Sequence, residues 1–107
     1  MLPLATHLVF VADGIPRFDI RATCRPAAAA ATTIGRSLDS CMRDEQEARD
    51  QLGKSWRQFP ADDRTRCVER ARLSPEPSYV ELLTCLEVSR DARALRDRTP
   101  TTSGSAR

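Results

Sequence analysis

Histidine and lysine are almost missing from this sequence: one of each, His7 and Lys54, in 107 residues. The lone histidine sits near the N-terminus, so the rest of the chain has no histidine to activate a serine or cysteine nucleophile or to ligate a metal. Aromatics are scarce as well, at 5% of residues: Phe10, Phe18, Trp56, Phe59 and Tyr79. Much of the 40% hydrophobic content is alanine, which buries little area, so the core is thin and cross-links matter more than in a larger domain. No apolar run approaches the roughly 20 residues of a membrane-spanning helix. No cysteine pair has the C-x-x-C spacing of a redox or zinc motif, and no internal repeat is visible.

The charge that is present is mixed. Seventeen basic residues, all arginine except Lys54, face 15 acidic ones, for a net charge of +2. Acids and bases interleave, as in Arg43-Asp44-Glu45 and Arg90-Asp91-Ala92-Arg93. A nucleic-acid binder shows a one-signed stripe with aromatics between its cations, so no nucleic-acid partner is expected. Arginines on solvated helix faces account for the pattern.

Residues 2–12 form an apolar run with the length of a signal-peptide core, and Ala12 is a small residue where cleavage could occur. Only Met1 precedes the run, so the basic leader is missing. A truncated export signal is the favoured reading, and a buried strand or helix of the mature fold is the other. The expected organisation is an apolar leader and loop over 1–17, a helical disulfide-linked domain over 18–97, and a disordered polar tail over 98–107.

The pattern between the ends is all-α: a small three-helix, up-down-up arrangement with an Ala-rich segment before it. Phe18-Asp19-Ile20 reads as extended or a single turn, and Pro26 opens a short alanine helix or a mobile connector ending at Gly35. Residues 36–59 are the strongest helix, since Leu38, Cys41, Ala48, Leu52, Trp56 and Phe59 fall on one face. Glu45 interrupts that stripe. A charge there needs a partner, and the choice lies between a site carboxylate and a buried ion pair with an arginine from another helix. Pro60 opens a second helix, with Asp62 and Asp63 placed to meet its dipole and Cys67, Val68 and Ala71 as its apolar edge. Ser78-Tyr79-Val80-Glu81 has the form of a capping box before a last helix that runs to about Leu95 and buries Leu82, Cys85, Leu86, Ala92 and Leu95.

Cys24, Cys41, Cys67 and Cys85 carry the most information. Their gaps of 16, 25 and 17 residues suit neither zinc nor redox chemistry. An even count, a thin core and positions on apolar helix faces suit two disulfides, with free buried thiols as the alternative. Helix rise ranks the three possible pairings. Cys67 lies about 10 Å below the turn at Pro60, and Cys85, climbing the next helix, reaches the same height. Cys41 lies roughly 27 Å below that turn, within reach of Cys24 only. The favoured pairs are therefore Cys24–Cys41 and Cys67–Cys85.

The stretch from Cys41 through Gln51-Leu52, Trp56, Phe59 and Cys67 to Pro77-Ser78-Tyr79-Val80-Glu81-Leu82-Leu83-Thr84-Cys85-Leu86-Glu87 resembles small exported four-cysteine helical proteins of alphaproteobacteria. The likeness covers about residues 18–95. More broadly, the four cysteines, the tryptophan late in a long helix and the Ser-Tyr turn before Cys85-Leu86 resemble lysozyme-inhibitor-like periplasmic domains. The first resemblance implies export and disulfides and no activity; the second implies protein binding in the periplasm.

Together these features point to a non-catalytic periplasmic or secreted interaction module, binding a protein or envelope component, with no cofactor and no metal. Glu45, Trp56 and Tyr79 are the candidate interaction residues. An enzyme would need a base from among Glu45, Glu81 and Glu87. A cytosolic helical adaptor with reduced cysteines is the alternative if Met1 is taken at face value.

Overall fold

The computed structural model describes residues 14–30 and 37–98, and every structural statement below concerns these. The apolar run 2–12, with its proposed cleavage at Ala12, and residues 31–36 and 99–107 lie outside them. Among the described residues there are four α-helices and no strand. They are α1 (Ile20–Ala30), α2 (Leu38–Ser55), α3 (Ala61–Ala71) and α4 (Tyr79–Arg98), with a 3-10 turn over Trp56–Gln58 after α2.

The first helix corrects the sequence reading. It starts six residues before Pro26 and contains that proline. The reason is a cap: Asp19 Oδ1 accepts from the Ala22 N–H at 3.2 Å, and the Asp19 carbonyl accepts from Thr23 N–H at 3.0 Å. Pro26 forfeits one intrahelical hydrogen bond. Cys24, two residues earlier, is fully buried and bonded to Cys41, which pins that turn of α1 onto α2.

The long helix follows its apolar stripe. Ser37 Oγ caps α2 by accepting from Ser40 N–H at 3.1 Å, and Cys41, Glu45, Ala48 and Leu52 are its buried positions. The stripe continues through Trp56 and Phe59, but the α-helix ends at Ser55, where the chain tightens into the 3-10 turn. The Ser55 hydroxyl donates to the Gln51 carbonyl at 2.9 Å in this last turn, a bond that competes with the helical ladder. Pro60 then sets the start of α3, as its fixed φ allows.

The helix pairs that pack are α1 on α2, α2 on α4 and α3 on α4. The fourth helix is thus the shared partner of α2 and α3, and its buried positions Tyr79, Leu82 and Leu86 lie in the common core with Ala48, Leu52, Trp56, Phe59 and Cys67. Ile15, Phe18, Ile20, Val68 and Leu83 close the edges of this cluster. Two further expectations are corrected here. Ala92 and Leu95 are exposed, as is every residue from Arg90 to Arg98, and α4 reaches α3 there through the Arg93 side chain on Asp63. The helix also continues to Arg98, three residues beyond Leu95.

Candidate functional site

All four cysteines are consumed in two disulfides, Cys24–Cys41 and Cys67–Cys85, each with a Cα–Cα separation of 5.7 Å. These are the pairs that helix rise ranks first. One ties α1 to α2 and the other ties α3 to α4.

Among the described residues, Glu45 pairs with no arginine. Its side chain is buried and accepts two bonds from the start of α4: Ser78 Oγ–H at 2.6 Å and Tyr79 N–H at 2.7 Å. Both carboxylate oxygens are therefore used. The first N–H groups of a helix have no intrahelical acceptor and carry the positive end of its dipole, so a carboxylate is satisfied there as well as by a guanidinium. Ser78 Oγ also accepts from Glu81 N–H at 3.2 Å, which is half of the expected capping box. In place of the reciprocal bond to the Ser78 N–H, Glu45 from another helix accepts from the next N–H, that of Tyr79, while the Glu81 side chain stays exposed.

Tyr79 extends this knot to the N-terminal segment. Its hydroxyl donates to the Pro16 carbonyl at 3.1 Å and accepts from Phe18 N–H at 2.9 Å, and its ring lies 4.8 Å from that of Phe18. Pro16 is buried and Ile15 packs on the core, so residues 15–18 act as a strap across the helices. Nearby, Thr23 Oγ1 lies 2.7 Å from the Pro77 carbonyl and ties α1 to the turn before α4. The sequence places Glu45 and Tyr79 on different helices, and the structure brings them together. It leaves Trp56 on the apolar side of the same core, with the Arg64 guanidinium 5.7 Å from the ring centroid.

A second buried carboxylate, Asp63, was legible only as a first-turn acid. It is fully buried, and its Oδ1 receives Arg66 at 2.6 Å and Arg93 at 2.8 Å. The Arg66 guanidinium holds its carboxyl below the ordinary value of 3.8; burial pushes the other way, and Arg93 adds to the lowering. Oδ2 has no hydrogen-bond partner. The missed signal was spacing: Asp63, Cys67 and Ala71 occur at i, i+4 and i+8, on one buried face of α3. Arg90, three residues before Arg93 in α4, lies over the Phe59 ring at 5.4 Å.

Two open grooves flank the strap. One, of about 610 Å³, runs between residues 14–17 and α3 over Trp56, with Arg17, Arg64, Glu69 and Arg72 as its charged members. The other, of about 640 Å³, lies between the strap and α2, with Arg49, Asp50 and Lys54 beside Arg17 and Tyr79. Cations thus outnumber acids on both sides of the strap. No helix among the described residues is long and apolar enough to cross a membrane, and no group of three or more potential ligands is placed to hold a metal. The chain matches no protein-family model, no curated protein and no solved structure, so the reading of this site rests on its own geometry.

Proposed function

We propose that this chain is an exported, non-catalytic interaction module that binds a protein or envelope component through the face around the strap. The observation that carries the reading is the engagement of every cysteine in a disulfide, an arrangement that persists in oxidising compartments and is reduced in the cytosol. Its two buried carboxylates support the non-catalytic part. Glu45 is occupied in capping α4 and Asp63 in binding two arginines, so each has a structural task that a proton-transfer role would interrupt. In the same reading α2, α3 and α4 alternate in direction, which the short link 72–78 and the mid-helix bridge Cys67–Cys85 favour. A leader cleaved after Ala12 leaves the strap intact, since its first core-packed residue is Ile15.

The partner face is amphipathic: Trp56 and Val68 form an apolar floor beside Arg17, Arg64 and Arg72. Repeated affinity capture from envelope extract, with Arg17→Glu/Arg64→Glu as the paired control, tests this half. A partner held by the native protein and lost by the variant supports it, and no partner across repeats removes it. The likeness to lysozyme-inhibitor-like domains gives the narrower form of the proposal, checked directly by lysozyme inhibition with the oxidised protein.

A further inference from the structure

The two disulfides differ in what covers them. Cys24 and Cys41 are 0% and 2% exposed, sealed between α1 and α2. Cys67 is equally buried, but its partner Cys85 is only half-buried. An open groove of about 470 Å³ lies along the α3–α4 seam beside this second bridge, and both of its cysteines line the groove. Ala71, Val80 and Val88 give it apolar walls, and Arg70 and Glu81 balance each other as its charged members. Val88 is 60% exposed, so nothing among the described residues shields that side. Ser89 completes the surroundings, its Oγ lying 4.0 Å from Cys67 Sγ. A disulfide sulfur carries no hydrogen, so the serine hydroxyl is the donor of that contact.

We propose that Cys67–Cys85 is a thiol–disulfide exchange site, open to a small thiol or an oxidoreductase dithiol in the folded protein, while Cys24–Cys41 is a closed structural bridge. Exchange requires a thiolate to reach one sulfur along the S–S axis, so access decides which bridge and which sulfur react. The incoming thiolate bonds to Cys85 Sγ, the half-buried end, and the Cys67–Cys85 bond breaks. The electron pair leaves on Cys67 Sγ, where the Ser89 hydroxyl is placed to donate to the new thiolate. A second thiol then displaces Cys85 from the mixed disulfide, so that two thiols are oxidised to one disulfide as the bridge is reduced. The product keeps α1 fastened to α2 and leaves α3 held to α4 by core packing and by Asp63–Arg93.

The test uses the full oxidised chain without denaturant, exposed to graded reduced glutathione and quenched at timed intervals with excess alkylating reagent, with each cysteine followed by peptide mass mapping. Cys67 is expected to be alkylated at least about tenfold faster than Cys24 or Cys41, with the first glutathione adduct on Cys85. Equal rates at the two bridges, faster opening of Cys24–Cys41, or a first adduct on Cys67 would each overturn the assignment. A thermal melt of the partly reduced product separates local from global opening. A single cooperative transition retained with Cys24–Cys41 intact is the expected result, and loss of that transition on opening Cys67–Cys85 contradicts it.

Discussion

Glu45 shows how one residue can join local and tertiary structure. A carboxylate in the apolar stripe of a helix is a liability until it meets donors, and here the donors are the Ser78 hydroxyl and the Tyr79 N–H. Replacing it by alanine leaves a buried N–H without an acceptor. Glu45→Ala is therefore expected to lower stability by about 3 kcal/mol, and Glu45→Gln, which keeps the shape and one acceptor oxygen and turns the other into an amide donor, by about 1 kcal/mol. Urea denaturation with the disulfides intact measures both. Tyr79→Phe removes the two hydrogen bonds to the strap while keeping the ring; the expected loss is about 1–2 kcal/mol, read from the same curves. The pH dependence belongs to Asp63. Because its folded-state value lies below 3.8, its contribution is fully present above that pH and is lost as pH falls through the lower folded-state value. Asp63→Asn should flatten the acid limb of a stability–pH curve below about pH 4, and an unchanged acid limb would count against the Arg66–Asp63–Arg93 account.

Among the elements, α2 shows what periodicity can and cannot provide. Its stripe from Cys41 to Phe59 is readable from the sequence because alternation of apolar and charged residues every three or four positions has one helical solution. The partner of Glu45 is not readable, because a helix N-terminus becomes a ligand only when the chain brings it there. The start of α1 is hidden for a local reason: Pro26 looks like a beginning, while Asp19, seven residues earlier, supplies the cap. Ala92 and Leu95 illustrate the opposite error. They continue the apolar spacing of α4, but every described residue from Arg90 onward is exposed, so spacing alone places them wrongly. Gly53 offers an independent check on α2. It is exposed within the helix, and a Cβ added there meets nothing within 4 Å. Gly53→Ala should raise stability by about 0.5–1 kcal/mol in thermal or urea unfolding.

For the whole molecule, the thin aromatic content and the two bridges belong together. The core gathers around Leu52, Trp56, Phe59, Tyr79, Leu82 and Leu86, while α1 and α3 contribute mainly cysteine and alanine to the buried set. Each bridge fastens one of those two helices to a neighbour that carries the larger core side chains. Each closes a loop of nearly 20 residues, and loss of either should lower stability by about 3 kcal/mol. The arrangement of bridges was legible from helix rise; the grooves beside the strap were not, since they arise from Pro16 and Arg17 folding back on Tyr79 across 63 residues of chain.

The most direct measurement is the thiol state of the native protein, taken by rapid alkylation of intact cells followed by intact mass and non-reducing peptide mapping. The account predicts no alkylated cysteine, a gain of about four mass units on reduction, and peptides linked as Cys24–Cys41 and Cys67–Cys85. Four alkylated thiols in the native protein, or a Cys41–Cys67 or Cys41–Cys85 link, would contradict it.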